Sequence, residues 1–207
     1  RARGYKIMFY PMMLVDVAGK PWRGNLTGTS SAVSTFFTKT NGYNRFINHY
    51  ATLCAGKIDA FAIGTELKGL TAVSSSAGVY PAVSALISLA ASVRSTLGST
   101  VKLTYAADWS EYHHTDGGWY HLDPLWACSA IDVVGIDAYF PLTDAPQTGY
   151  DIDAIKQGWV SGEGYDWYYT DGARRLRRPN RNGRAAAWCS ENSSGRGTRG
   201  LTPIGRI

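Results

Sequence analysis

Residues 61–71 read FAIGTELKGLT, and this stretch decides the fold class. Its apolar opening continues a run that begins at Ile58, and we predict a buried strand at Ile58–Ile63. The run stops at Gly64, and a carboxylate, Glu66, follows almost at once. In parallel α/β folds, functional side chains lie at the carboxyl ends of the strands. The stretch therefore predicts a buried parallel strand that delivers Glu66 to a site.

The rest of the chain repeats this arrangement of a strand followed by a polar or aromatic loop. The predicted strands are Tyr5–Val15, Ile58–Ile63, Val101–Tyr105 and Ile131–Tyr139. The predicted helices are Ser34–Cys54, with an interruption at Asn41–Gly42, and Ala82–Leu97, started by Pro81 and ended before Gly98. The residues that follow the four strands are Asp16, Glu66, Asp108–Trp109 and Asp137–Tyr139. Alternation of this kind indicates an α/β fold with a parallel sheet.

Length and composition fit one globular domain but not a complete eight-stranded barrel. The chain has 207 residues, of which 44% are hydrophobic, whereas a complete (β/α)8 barrel typically needs roughly 250 residues. No run of about 18 apolar residues occurs, so no transmembrane helix is expected. A signal peptide at the start of the chain is likewise not expected. The three cysteines (Cys54, Cys128 and Cys189) are widely spaced and show no metal-binding pattern.

The positive charge of the chain is concentrated at its end. Residues 174–207 hold nine arginines and one acid, Glu191, whereas the preceding residues hold 12 basic and 15 acidic groups. This last segment has no helical or strand periodicity. We therefore predict a folded domain over residues 1–172 and an Arg/Gly/Ser-rich, irregular or disordered tail over residues 173–207. Trp188 is the one aromatic residue of that tail, which provides no stacking platform, so nucleic-acid binding is not expected.

Glu66 has two interpretations from its spacing alone. Retaining glycoside hydrolysis needs two carboxylates about 5–5.5 Å apart, one as acid/base and one as nucleophile. The acid needs a raised pKa, which aromatic walls and partial burial supply. In the alternative interpretation, Glu66 is a surface residue at a strand end that pairs with Lys68 or Arg94. The spacing leaves both interpretations open.

The loops after the third and fourth strands combine carboxylates with aromatic side chains. Asp108, Trp109 and Glu111 follow the third strand, and Asp137 and Tyr139 end the fourth. Pyranose C–H faces pack on aromatic rings while carboxylates accept hydrogen bonds from hydroxyl groups, so this composition suits sugar binding. The alternative for the first loop is that it buries its aromatic residues in a small core of its own. Tyr139 could hydrogen-bond a nucleophilic carboxylate, or it could equally be a wall residue.

A histidine-rich segment in the same loop raises the question of a metal site. His113, His114, Asp116 and His121 lie close together in the sequence. Their spacing differs from the tighter helical or hairpin patterns of zinc sites, such as HExxH. We therefore expect no metal and no cofactor.

Several stretches, taken in order, resemble one known family. It is the glycoside-hydrolase TIM-barrel-like domain of large tail proteins of phages and gene transfer agents. The stretches that carry the resemblance are GYKIMFYPMML, PWRGN, YNRFINHYATLC, IDAFAIGTELKGLT, SSAGVYPAVSALISLAASVRSTLG, KLTYAADWSEY, HLDPLWA, IDVVGIDAYFPLTD and GEGYDWYY. They cover most of residues 4–169.

The resemblance implies a (β/α)8 TIM-barrel-like fold, present here as a partial barrel of about strands 3–6. In similar retaining glycosidases the acid/base Glu follows strand 4, and Glu66 takes that position. The nucleophile Glu of those enzymes follows strand 7. Glu191 has no strand-like segment before it, so the nucleophile role does not transfer to it and no second catalytic carboxylate is identified. The resemblance therefore leaves hydrolysis by this chain open.

The resemblance also implies a biological setting. The expected function is a module of a phage or gene-transfer-agent tail or baseplate protein that acts on, or binds, bacterial cell-surface or wall glycans. Its expected location is the tail of the particle, after synthesis in the bacterial cytoplasm. The expected partners are the glycan and other tail or baseplate domains or subunits. The alternative is a structural or receptor-binding tail module that has lost hydrolysis.

Overall fold

The computed structural model describes residues 3–112, 114–115, 118–139, 142, 149, 151–160, 167–171 and 176–179. Contacts divide the chain into two units, Arg1–Tyr139 and Phe140–Ile207. The strands of the first unit are β1 (Met8–Phe9), β2 (Ala60–Thr65), β3 (Lys102–Asp108), β4 (His114–Thr115), β5 (Gly118–Trp119) and β6 (Val133–Asp137). Its helices are α1 (Ser30–Thr38), α2 (Tyr43–Cys54), α3 (Lys68–Thr71), α4 (Pro81–Leu97) and α5 (Asp123–Trp126), with a 3-10 turn at Arg23–Asn25.

A four-stranded parallel sheet organises the first unit. Its strand order is β1-β2-β3-β6, so each new strand along the chain is added at the same edge, as in an α/β barrel. Every described residue of β2 after Ala60 is buried, and so is every residue of β3 after Lys102. Such strands are covered on both faces, as their continuous apolar sequence predicts. The expected α/β fold, with part of a TIM-barrel-like sheet, is confirmed.

The first strand is shorter than its sequence predicts. We expected Tyr5–Val15, but only Met8 and Phe9 pair with β2, opposite Ala60 and Phe61. Pro11 has no N–H with which to continue a ladder of hydrogen bonds. The prediction was therefore wrong in length. The run is also not buried on both faces as expected, because Tyr5 and Leu14 are 71% and 82% exposed.

The helices form the outer layer on the sheet. Helices α1, α2 and α4 contact one another, and α2 and α4 also contact β2. The expected interruption at Asn41–Gly42 is confirmed, because α1 ends at Thr38 and α2 begins at Tyr43. A Cβ atom at Gly42 would lie 2.7 Å from the carbonyl oxygen of Phe36, so the chain can turn this tightly only at glycine.

Helix α4 begins and ends where the sequence predicts. Pro81 occupies its first turn, and Gly98 follows its last residue with φ +76°. Proline suits the first helical turn, and glycine reaches positive φ at low cost. The buried face of α4 contributes Leu86, Leu89 and Val93 to the main core.

Carboxylates hold the amino ends of the sheet strands. Asp59 accepts a hydrogen bond from the backbone N–H of Ile7, and Asp132 accepts one from Leu103. Arg94 of α4 forms an ion pair with Asp132 and donates to the carbonyl oxygens of Val101 and Ala130. The charged side chains at the amino end of the sheet are therefore occupied by ion pairs and hydrogen bonds that stabilise the fold.

The second unit contains α6 (Ile152–Val160), β7 (Trp167–Asp171) and β8 (Leu176–Pro179). The last two strands pair antiparallel. Strand β8 belongs to the segment predicted to be an irregular tail. The predicted boundary at residues 172 and 173 and most of that tail lie outside the described residues, so the domain division stays a prediction. No helix in the described part of the chain is long and apolar enough to cross a membrane.

Gly135 of β6 provides a test of the packing between β6 and β3. A Cβ atom there would lie 2.5 Å from Thr104 Oγ1 and 2.6 Å from the carbonyl oxygen of Tyr105. Overpacking of this kind costs about 1–3 kcal/mol. We expect Gly135→Ala to lower the free energy of unfolding by about that amount in urea titration. Gly149→Ala is the matched control, because no atom of the described residues lies within 4 Å of its new Cβ. Equal stability of the two variants would contradict this packing.

Candidate functional site

The carboxyl ends of the parallel strands bring four polar side chains to one edge of the sheet. Tyr10 directly follows β1, Glu66 directly follows β2, Asp108 ends β3 and Asp137 ends β6. Because parallel strands end at the same edge, residues far apart in the chain become neighbours. Sequence analysis predicted three of these residues and missed Tyr10.

Glu66 leaves the strand in an unusual backbone conformation. Its φ is +49°, in the left-handed region, which costs a non-glycine residue roughly 1–3 kcal/mol and is frequent at functional sites. The Glu66 N–H still donates to Ala106 of β3 at 2.8 Å, whereas the next N–H, of Leu67, donates to the Tyr105 hydroxyl at 2.8 Å. The chain therefore turns sharply at Glu66 while both amides remain hydrogen-bonded.

The carboxylate of Glu66 is held by two residues that precede the first helix. Arg23 Nη2 lies 2.5 Å from Glu66 Oε2, and Trp22 Nε1 donates to the same oxygen at 3.0 Å. Arg23 Nε also donates to the carbonyl oxygen of Thr65 at 3.2 Å. Only 5% of Glu66 is exposed. The interpretation of Glu66 as a surface residue paired with Lys68 or Arg94 is therefore wrong, because Lys68 contacts Ser110 and Arg94 contacts Asp132.

Opposing effects act on the protonation of Glu66. Burial raises the pKa of its carboxyl group, and the negative charges of Asp137 and Asp108 raise it further. The Trp22 hydrogen bond and the Arg23 charge lower it, but the net pKa stays above its ordinary value. Glu66 therefore keeps a proton at higher pH than a surface glutamate, which a general acid requires.

A second carboxylate, Asp137, lies in a cluster of hydroxyl groups. Tyr10 donates to Asp137 Oδ2 at 2.6 Å, and Thr65 Oγ1 donates to the same oxygen at 3.0 Å. The two hydroxyl groups also contact each other. Burial and the hydrogen bond to Asp137 raise the pKa of Tyr10, so Tyr10 remains a neutral donor. The cluster holds the Asp137 carboxylate in one orientation at the site.

The third carboxylate, Asp108, is engaged by its own loop. Asp108 Oδ1 accepts a hydrogen bond from the Ser110 N–H at 2.9 Å and another from the Ser110 hydroxyl. Lys68 Nζ donates to that hydroxyl oxygen at 2.8 Å. Asp108 is buried, and its negative charge raises the pKa of Glu66. Asp108 therefore contributes both loop structure and electrostatic potential at the site.

Glu111 occupies a different position from the one expected of a residue that lines a binding site. Its side chain is fully buried and accepts hydrogen bonds from Thr71 at 2.6 Å, Tyr105 at 2.8 Å and the Asp108 N–H at 3.0 Å. Burial raises the pKa of Glu111 to about 7, against the effect of these three donors. The Tyr105 hydroxyl also accepts a hydrogen bond from the Leu67 N–H. Glu111 therefore stabilises the backbone turn at Glu66 through Tyr105.

The predicted aromatic residues differ in how much surface they present. Trp109 is half-buried, and Tyr139 is 72% exposed. The tyrosine that hydrogen-bonds a carboxylate at this edge is Tyr10 rather than Tyr139. Trp22 and Arg23 were missed as well, since a loop residue carries no periodic signal of what it will contact. The PWRGN stretch, Pro21–Asn25, was the one available clue.

The histidine segment is only partly described. His113 and Asp116 lie outside the described residues. His121 is buried, near Thr71 and the Tyr80 ring. Among the described residues, no group of three or more His, Cys, Asp or Glu side chains could hold a metal ion.

The comparisons with known proteins give one match. A family model described as the GTA TIM-barrel-like domain, where GTA stands for gene transfer agent, matches residues 41–189. This range contains Glu66, Asp108 and Asp137, whereas Tyr10, Trp22 and Arg23 precede it. No curated protein and no solved structure matches the chain.

The ion pair with Arg23 predicts how the pKa of Glu66 responds to mutation. Arg23 favours the ionised carboxylate, so Arg23→Gln should raise the pKa of Glu66 further above its ordinary value. The pKa is measured from the carboxyl ¹³C shifts of labelled glutamate, with Glu66→Gln identifying the resonance. Arg45→Gln is the control, because Arg45 bonds Asn41 on the exposed surface. An unchanged or lowered pKa in Arg23→Gln would contradict this account of the site.

Glu111 predicts a pH dependence of stability. Its folded-state pKa, about 7, lies above its ordinary value of 4.5. The folded state therefore binds the proton more tightly, and this contribution to stability is lost as the pH rises between those values. Glu111→Gln stays neutral, so the stability of the wild type relative to this variant should fall by about 3 kcal/mol from pH 4 to pH 8.

Urea unfolding at several pH values measures this difference. The control is Asp153→Asn, because the Asp153 side chain is 88% exposed and its removal should produce no comparable change. A constant difference between wild type and Glu111→Gln across this pH range would mean that the buried carboxyl does not titrate as described.

Proposed function

The chain belongs to the GTA TIM-barrel-like domain family, and on this premise we propose that its site acts on glycans of the bacterial cell surface or wall. The chain is thus a gene-transfer-agent-related module with a TIM-barrel-like fold. In the proposal, the module is part of a tail or baseplate protein of the particle. Its partners there are the glycan and neighbouring tail or baseplate domains.

One observation carries this proposal. Glu66 is a nearly buried carboxyl group with a raised pKa, placed at the carboxyl end of a parallel strand and in contact with an indole N–H. A carboxyl group whose pKa is raised keeps its proton to higher pH than usual and can protonate the leaving oxygen of a glycosidic bond. The position of Glu66 after β2 agrees with the role of acid/base that the family resemblance implies.

The surrounding residues support a sugar ligand. Asp108 and Asp137 lie close enough to Glu66 for their charges to raise its pKa. Carboxylates accept hydrogen bonds from sugar hydroxyl groups. Trp109 and Tyr139 supply aromatic surface next to them in the chain. In the proposal these four residues bind substrate. Glu111 is instead assigned to supporting the site, because its buried side chain has no surface to offer a ligand.

In the proposed reaction, Glu66 donates its proton to the glycosidic oxygen as the bond to the anomeric carbon breaks. The anomeric carbon then accepts the oxygen of a carboxylate or of a water molecule. If a carboxylate has bonded to the anomeric carbon, water displaces it from the leaving-group face and gives its proton to Glu66, which restores both groups. If water attacks directly from the opposite face, its proton goes to the carboxylate on that face, and Glu66 regains its proton from solvent. In the proposal the carboxylate that contacts the sugar is Asp137, because both of its hydroxyl donors bind Oδ2 and hold the side chain in one orientation.

A second candidate function is binding without hydrolysis. The ion pair between Arg23 and Glu66 favours the ionised carboxylate, which cannot donate a proton. An ionised Glu66 still accepts hydrogen bonds from sugar hydroxyl groups. A receptor-binding or structural tail module would use the same residues in this way.

Purified peptidoglycan sacculi distinguish the two functions. We expect the wild type to release reducing ends, and Glu66→Gln to lower that rate by about 100-fold or more, since the amide cannot act as an acid. Binding, measured by co-sedimentation with the sacculi, should persist in the variant. Asp153→Asn is the control for an exposed acid outside the site.

Equal rates for wild type and Glu66→Gln would rule out the catalytic role of Glu66. Binding by the wild type with no release of reducing ends would establish the binding function instead. If the wild type shows neither binding to the sacculi nor release of reducing ends, both functions are refuted for this glycan.

A further inference from the structure

Trp22 combines a fixed position with an accessible ring. Its indole Nε1 donates to Glu66 Oε2 at 3.0 Å, yet 39% of the residue is exposed. Tryptophan is on average well buried in folded proteins, whereas more than a third of Trp22 is exposed. Trp22 instead keeps part of its ring in contact with solvent beside the central carboxyl group of the site.

Two glycines hold the segment that carries this ring. A Cβ atom at Gly24 would overlap the Trp22 ring, because it would lie 2.6 Å from Trp22 Cζ2. A Cβ atom at Gly69 of α3 would lie 2.7 Å from the Gly24 carbonyl oxygen and closer still to that of Leu26. Both contacts require the absence of a side chain. The ring therefore rests on the backbone of the 3-10 turn, which rests in turn on α3.

The hydrogen bonds of Glu66 leave one of its oxygens for a ligand. Among the described residues, the donors to the Glu66 side chain are Trp22 and Arg23, and both bond to Oε2. Oε1 of the same carboxyl group is therefore left to accept a hydrogen bond from a molecule that lies on the exposed part of the Trp22 ring. The polar edge of the indole is already occupied, so the ring can offer such a molecule its apolar face.

We propose that Trp22 is an aromatic platform that stacks against one pyranose ring of the ligand and places it beside Glu66. The C–H face of a pyranose is apolar and flat enough to pack on an indole, while its hydroxyl groups reach neighbouring carboxylates. This inference rests on the proposed glycan function and deepens it, because it identifies a sugar subsite that the sequence analysis did not predict.

The test uses two probes, a soluble hexamer of N-acetylglucosamine and purified peptidoglycan sacculi. Affinity for the hexamer is measured by isothermal titration calorimetry, and binding to sacculi by co-sedimentation. Trp22→Ala and Trp22→Leu remove the ring, and each should weaken binding about tenfold or more, the effect of losing roughly 1.4 kcal/mol of contact energy. Trp22→Phe retains an aromatic face and should lose much less affinity than Trp22→Leu.

The control is Trp159→Ala, which removes a tryptophan that is 69% exposed on α6. This variant should bind as the wild type does. Circular dichroism and thermal unfolding verify that each variant is folded. A further measurement needs no variant: bound hexamer should protect Trp22 of the wild type, but not Trp159, from oxidation by N-bromosuccinimide, as read by mass spectrometry.

The outcomes separate this inference from the function on which it rests. If the wild type binds a probe while Trp22→Ala binds equally well, or Trp22 is oxidised equally with and without hexamer, the platform is refuted and glycan binding stands. If the wild type binds neither probe, glycan binding fails and the platform fails with it. Equal losses in Trp22→Phe and Trp22→Leu would also overturn the stacking role, because an aromatic face would then have no advantage.

Discussion

The left-handed backbone turn at Glu66 is the constraint on which the site depends. A non-glycine residue in this conformation persists only when its surroundings hold it there. The Glu66 amide bonds to Ala106, and the following amide, of Leu67, bonds to the Tyr105 hydroxyl. Tyr105 in turn donates to the buried Glu111. The orientation of one side chain at the sheet edge is therefore set by a chain of hydrogen bonds that reaches into the core.

The two ends of the sheet use charge differently. At the amino end, Asp132 has cationic partners in Arg94 and Lys102, so its charge is compensated and serves the fold. At the carboxyl end, three carboxylates share a small region in which Arg23 is the cation bound to Glu66. Excess negative charge and burial both work against ionisation. The carboxylates at the carboxyl end are less completely neutralised than Asp132 at the amino end. The carboxyl end is therefore the end suited to acid chemistry or to binding hydroxyl groups.

Sequence patterns predicted the polar residues at three of the four strand ends, and they missed the contacts between them. Glu66, Asp108 and Asp137 were identified because each lies at or just after the end of an apolar run, and parallel strands carry such residues to a common edge. Tyr10 was missed because the predicted first strand was too long and placed it inside the strand instead of after it. Trp22 and Arg23 were missed because they reach Glu66 from a loop 44 and 43 residues earlier in the chain. Periodicity within a short window contains no information about contacts over that separation.

The sequence by itself determined the α/β class, the buried central strands, the helix ends at Pro81 and Gly98, and the family to which the chain belongs. The fold class, the strands and the helix ends follow from local patterns of apolar side chains, proline and glycine, which act over a few residues. The family follows from the resemblance of whole stretches of the sequence. Only the tertiary structure decided that Arg23 is the partner of Glu66, that Glu111 is buried behind the site, and that Tyr10 and Thr65 converge on Asp137. The physical reason is that hydrogen bonds and ion pairs depend on distance in space, and the folding of the sheet alone brings residues as far apart as Tyr10 and Asp137 into contact.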